Sequence, residues 1–233
     1  MASWIRYTHN NPQENNFFMR RLSIAGGVAL LTVAVVFYVF RGDMKEAAYD
    51  AITENMFVAA DNDDFDPGAR IGTMFPGVRA TYQGRDINLI QEFAGPNGTA
   101  FIATRSAEWC PFCMMQMIQL QEHKSSFDQA GIGMVAITYD DPALQQAFVH
   151  KFDIQYPLLH DVETMTFKTL GILNEKYAPG DSAYGIPHPG IIVINRDGII
   201  VGKQFLKAYS MRVDAAAALA YASEALGVTG SGG

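Results

Sequence analysis

Cysteine is nearly absent from this chain of 233 residues, which carries two, Cys110 and Cys113. No other cysteine is available for a structural bridge, so a disulfide-stapled secreted scaffold is excluded, and so is a four-cysteine zinc site. The pair reacts with itself, binds a metal with outside help, or does nothing. Positive charge is also scarce: 17 Lys and Arg stand against 24 Asp and Glu, for a net charge of −7. A nucleic-acid binder would show a basic face, so nucleic acid is not expected as a partner. Charged residues make up 18% and hydrophobic residues 49%, a composition that permits a packed core and argues against global disorder.

Formal charge is missing altogether from Leu22 to Phe40, 19 residues bounded by Arg20-Arg21 before and Arg41 after. As a helix this run would reach roughly 28 Å, close to the hydrocarbon thickness of a bilayer. Its end, Phe37-Tyr38-Val39-Phe40-Arg41, lacks the small residues of a signal-peptide cut site, and a core helix of this length would carry a polar face. The expectation is an uncleaved transmembrane anchor over 22–40. Arg6, Arg20 and Arg21 precede it, whereas Arg41 and Lys45 sit among Asp43, Glu46 and Asp50. This bias places a short N-terminus, residues 1–21, in the cytoplasm and the remainder in a periplasmic or other extracytoplasmic space. A twin-arginine export signal at Arg20-Arg21 is the weaker alternative, because Ser23 stands where an apolar residue is wanted.

Residues 41–67 are acidic, with Asp43, Glu46, Asp50, Glu54, Asp61, Asp63, Asp64 and Asp66. Ala48, Ile52, Met56 and Phe57 share one helical face, so a short amphipathic helix followed by an Asp-rich break at Pro67-Gly68 is expected, serving as a juxtamembrane spacer.

From 68 to 226 strands and helices alternate. Val78–Tyr82 and Ile87–Leu89 flank Gln83-Gly84-Arg85-Asp86 as a hairpin. Thr99–Thr104 is a buried strand, and 111–129 a helix with Met114, Met117, Ile118 and Leu120 on its apolar face. A strand at Gly133–Thr138, a helix at Ala143–Phe152, an extended piece at Tyr156–Leu159 and a helix at Thr164–Leu170 follow. Gly190–Ile194 turns through Asn195-Arg196-Asp197-Gly198 into Ile199–Gly202, and the Ala-rich Val213–Leu226 closes the chain as a helix ahead of a flexible tail, 227–233. The pattern implies an α/β domain, a central mixed sheet with helices on both faces and an N-terminal hairpin extension.

Several blocks carry a resemblance. Ser106-Ala107-Glu108-Trp109-Cys110-Pro111-Phe112-Cys113 follows a strand and opens a helix, as the active site of thioredoxins does. Ile186 to Gly198 is similar to the cis-proline strand and hairpin of the redoxin (AhpC/TSA) branch, with Pro189 in the cis-proline place. Val135–Asp140 and Tyr156–Asp161 are similar to that branch as well. The resemblance covers roughly residues 68–226 and implies a thioredoxin-like fold, a WCxxC dithiol and a membrane-anchored thiol–disulfide oxidoreductase.

Attack on a disulfide needs a thiolate, and a free cysteine is mostly protonated near neutral pH, its pKa being about 8.5. Cys110 would sit at a helix N-terminus, where unpaired amides and the helix dipole favour negative charge, and Cys113 lies one turn on, able to resolve a mixed disulfide. Pro111 suits the first helical turn because its missing N–H has no partner there anyway. Trp109 would shield the dithiol, Pro189 would offer a backbone edge to a substrate chain, and a charged His188 would stabilise the Cys110 thiolate. Glu108 is read as surface. Thr104 stands where thioredoxins carry a buried acid. No cofactor beyond the redox-active disulfide is implied; the expected partners are protein thiols or disulfides and a redox donor.

Two rivals remain. A peroxiredoxin-type peroxidase would use Cys110 on peroxide and Cys113 to resolve the sulfenic acid. Peroxiredoxins carry Thr or Ser three positions before the reactive cysteine, where this chain has Ala107 beside Ser106, and an activating arginine where it has Pro189. Arg105 and Arg212 are other arginines available. A copper(I) carrier would hold its ion on the two thiolates, with His188 as a third ligand. Ala107 and Pro189 in those places favour dithiol–disulfide exchange.

Overall fold

Gly98–Ala103 (β4) is buried at every position, the pattern of a strand covered on both faces, and it is hydrogen-bonded to a strand on either side. The computed structural model describes residues 49, 51–61 and 63–228. Those from Ile52 onward form one compact unit. Its other elements, in chain order, are β1 (Phe57–Val58), β2 (Ala80–Tyr82), β3 (Arg85–Ile87), α1 (Pro111–Glu122), α2 (Lys124–Gln129), β5 (Ile132–Thr138), α3 (Pro142–Lys151), β6 (Leu158–Asp161), α4 (Met165–Leu170), β7 (Gly190–Asn195), β8 (Ile200–Phe205), β9 (Arg212–Val213) and α5 (Ala215–Ala225).

Seven strands make one mixed sheet in the order β3-β2-β6-β5-β4-β7-β8. β4, β5 and β6 run parallel, joined by helical crossovers, while β7 and β8 on one side and β2 and β3 on the other are antiparallel additions. Alternate residues of the central strands face the same way. Phe101, Ala103, Val135, Ile137, Leu159, Ile192 and Ile194 therefore share a core with Phe75, Ile90, Phe167 and Leu170. Among the helices, α2 packs on β5, α3 and α4 on β6, and α5 on β7 and β8. Prolines open α1 and α3 in their first turn, and Asp141 and Asp214 accept amide hydrogens at the starts of α3 and α5.

Expectation and structure differ at several places in the fold. The hairpin turn is two residues, Gln83-Gly84, both at positive φ (51° and 75°), so Arg85 and Asp86 belong to β3. The helix expected over 111–129 breaks at His123 into α1 and α2. The last helix begins at Ala215, because Arg212-Val213 pairs in parallel with Phe57-Val58. The acidic segment is not simply a spacer: its described part is built into the domain. Besides that strand pair, Asp61 accepts from the Phe205 amide and Asp63 from the Lys207 amide, both at 2.8 Å, and Asp66 meets Lys203 at 2.6 Å. The carboxylates thus occupy amides along β8, the outermost strand of its side of the sheet, and at the residues that follow it. The expected span at 22–40 lies outside the described residues. Among the described residues no helix is long and apolar enough to cross a membrane.

Gly190 shows how tightly the sheet is packed beside the site. A Cβ there would run into the buried Phe205 ring on the neighbouring strand. Gly190→Ala is therefore expected to lower stability by about 1–3 kcal/mol through overpacking, read as a lower urea midpoint with an unchanged slope.

Candidate active site

β4 ends at Ala103, and the chain then makes a buried turn, 104–107, that delivers Cys110 to the start of α1. Asp140, just beyond β5, holds that turn. Its carboxylate accepts the Ser106 hydroxyl at 2.8 Å and the Ala107 amide at 2.7 Å. The Ser106 oxygen in turn accepts the amides of Glu108 (3.0 Å) and Trp109 (3.2 Å). Ser106 is thus committed to shaping the loop, and its hydroxyl is used as both donor and acceptor.

Cys110 is the N-cap of α1 and is bonded to Cys113 in a disulfide. Its sulfur accepts the Cys113 amide at 3.3 Å, the contact that would stabilise a thiolate once the bond is opened. Both cysteines are buried, Cys110 at 2% exposure and Cys113 at 0%. Pro111 occupies the first turn as expected. Trp109 is substantially exposed beside the dithiol and donates its indole N–H to the Tyr139 hydroxyl at 3.0 Å. Glu108 is exposed.

Two arginines lie beneath this surface. The Arg105 guanidinium donates to the Tyr209 carbonyl and stacks over that ring, 5.3 Å from its centre. Arg212, on β9, is 2% exposed and donates to the carbonyls of Tyr209 (3.0 Å) and Met211 (2.6 Å) and to the Cys113 sulfur at 3.3 Å. Burial first, and then the charge of Arg105, push its pKa down to about 9, which leaves it a cation at neutral pH. Pro189 lines a cavity of about 10 Å³ with Gln116, Gln204 and Arg212.

The cis bond expected before Pro189 is corrected by the structure: among the described residues no peptide bond is cis. The His188 amide donates to the Ile172 carbonyl at 2.7 Å and Pro187 bridges to Leu173, so the segment enters β7 as extended chain with ordinary X-Pro geometry. The His188 ring packs edge-on against Phe65, centroids 4.9 Å apart, and makes no hydrogen bond to either sulfur among the described residues. Nor does any group of three or more His, Cys, Asp or Glu positioned to hold a metal ion occur among them. Sequence reading misses Asp140 as the loop's anchor. An aspartate directly after a buried strand is a visible signal, but its partners lie 33 and 34 residues away.

A dithiol at a helix N-terminus, fed by the central strand of a mixed sheet, defines a thioredoxin-like redox domain. Residues 71–203, more than half of the chain, match the AhpC/TSA family, and the chain belongs to that family. Peroxiredoxin Q from the chloroplast of Arabidopsis thaliana is 28% identical over 94 residues, 40% of this chain and 41% of that relative's length. A Haemophilus influenzae protein named peroxiredoxin bcp is 24% identical over 131 residues, 56% of this chain and 83% of that one. A solved peroxiredoxin-like protein from Aquifex aeolicus superposes with a TM-score of 0.57 at 15% identity, covering 69% of this chain and 90% of its own.

His188 generates a pH dependence. Burial, opposed in part by Glu175 and aided by Arg105, holds its pKa below the ordinary 6.5. The unfolded chain takes up this proton near pH 6.5 and the folded chain only at lower pH. The stability contributed by neutral His188 is therefore complete above pH 6.5 and falls as pH drops from there toward the folded value. Urea midpoints at pH 7.5 and 5 should show a smaller acid loss in His188→Gln than in the parent.

Proposed function

We propose that this chain is a thiol-dependent peroxidase whose attacking sulfur is Cys110 and whose resolving sulfur is Cys113. The observation that carries the reading is the Cys110–Cys113 bond at the start of α1, in a family whose matched relatives are named peroxiredoxins. The Cys110 thiolate attacks one peroxide oxygen; the O–O bond breaks, the other oxygen leaves as alcohol or water after taking a proton, and Cys110 becomes a sulfenic acid. Cys113 thiolate then attacks the Cys110 sulfur, hydroxide leaves and is protonated to water, and the disulfide is formed. A dithiol donor returns the pair to the reduced state by exchange. Residues 22–40 would hold the domain at a membrane, facing the extracytoplasmic side.

A second reading, dithiol–disulfide exchange with protein clients, is favoured by two specific residues. Ala107 offers no hydroxyl three positions before Cys110, and Pro189, just before β7, offers no charge. Arg212 supplies positive charge from β9 instead, directed to Cys113.

Peroxide consumption separates the two. Cys110→Ser is expected to abolish it. Cys113→Ser is expected to turn over once and to carry a sulfenic acid on Cys110, detectable by its adduct mass. Peroxide turnover no faster than in Cys110→Ser, together with rapid reduction or oxidation of a protein disulfide, would replace the peroxidase with the exchanger.

A further inference from the structure

A buried cation needs a counter-ion, and Arg212 lacks one in the oxidised protein. Its side chain is among the largest fully buried ones, and its polar contacts are two backbone carbonyls and the Cys113 sulfur. Its Nε has no hydrogen-bond partner. Among the described residues no carboxylate forms an ion pair with it. The charge that it feels most is another cation, Arg105, from the end of β4. Enclosing an unpaired guanidinium is costly, and carbonyl dipoles offset only part of that cost. The disulfide sulfur carries no charge to complete it. A thiolate at Cys113 would.

We propose that Arg212 takes its counter-ion from the Cys113 thiolate, so that opening the disulfide is favoured and Cys113 is already ionised when it must attack an oxidised Cys110. Reduction by a dithiol puts two electrons into the S–S bond while the donor closes its own disulfide. Of the two protons the donor releases, one is held by Cys110 until its thiolate forms to attack the oxidant, and the other goes to solvent. Cys113 keeps its negative charge against the guanidinium.

The groups that bear on this charge are few. Arg212 faces Cys113 from β9, Arg105 lies behind Arg212, Tyr209 stands over Arg105, and Cys110 is the neighbour on the Cys113 side. Two opposed effects act on the Cys113 thiol. Complete burial disfavours its ionised form, and the guanidinium at 3.3 Å favours it. The second prevails because both partners lie in the same low-dielectric environment, where their attraction is least screened. Residues 56–58 contribute as well: the Arg212 amide donates to the Met56 carbonyl at 2.8 Å, so the strand from the acidic segment fixes the backbone that carries the cation.

The inference builds on the redox reading of the Cys110–Cys113 pair but not on which oxidant the pair meets, so its test reads thiol ionisation and not peroxide turnover. The full chain carrying Cys110→Ser keeps a hydroxyl at the N-cap and has Cys113 as its single thiol. Thiolate absorbance against pH should give a pKa for Cys113 below the ordinary value of about 8.5 despite its burial. Adding Arg212→Gln should raise it above that value, and Arg212→Lys should restore the depression. With both cysteines present, equilibration with glutathione should show Arg212→Gln shifted toward the disulfide by about tenfold, about 30 mV for this couple. A Cys113 pKa at or above about 8.5 with Arg212 in place would overturn the proposal without reference to any arginine variant. An Arg212→Gln protein with unchanged pKa and unchanged equilibrium would overturn it as well.

Discussion

The grip of Asp140 on the turn after β4 is the constraint on which the site depends. One carboxylate beyond β5 fixes a hydroxyl and an amide in the loop from the adjacent parallel strand, and through Ser106 it fixes two further amides. Those bonds set where α1 begins, and α1 begins at Cys110. The helix N-terminus then acts on the sulfur with no further device: the amide that reaches the side chain is that of Cys113, shared with the Cys110 carbonyl. The sheet order matters here because β4 and β5 are neighbours, which places Asp140 within hydrogen-bond reach of residues more than thirty positions earlier.

The second support comes from the opposite end of the chain. β9 carries Arg212 under Cys113, and it is held there by pairing with Phe57-Val58 and by α5, whose cap Asp214 binds Gln119 of α1 at 2.7 Å. The Ala215 amide also donates to Gln119, at 3.0 Å. The dithiol helix, the cation strand and the closing helix are therefore tied together by side chains, and the acidic segment before the domain takes part in the arrangement. A redoxin domain trimmed to begin at residue 68 would lose the strand partner of Arg212.

Much of the fold was legible because it is local. The central strands are continuous apolar runs, Pro111 marks the start of α1, and Gln83-Gly84 lies within the stretch read as a hairpin turn. The two cysteines were legible for the same reason, since three-residue spacing at a helix start is visible without tertiary information. What escaped was long-range. Arg212 lies 99 positions from the sulfur it contacts, so sequence could name it as an available arginine but not place it. Asp140 reads as the end of a strand until its partners are known. The acidic run reads as solvated charge, yet Asp61 and Asp63 spend their carboxylates on backbone amides 144 residues away. The cis bond at Pro189 was transferred from a family pattern and not read from local chemistry, and the structure shows extended trans chain there.

A cysteine made reactive by a helix start and a partner made ready by a buried cation would act together in one chain. The most direct test is a single turnover: fully reduced chain is mixed with one equivalent of hydrogen peroxide, and peroxide and both thiols are followed together. All three should disappear in step, much faster than for free cysteine under the same conditions. The product should be a chain lighter by two hydrogens, with its bridge mapped to Cys110 and Cys113. Loss of peroxide no faster than with free cysteine, or bridges formed between chains, would rule out this paired action of Cys110 and Cys113.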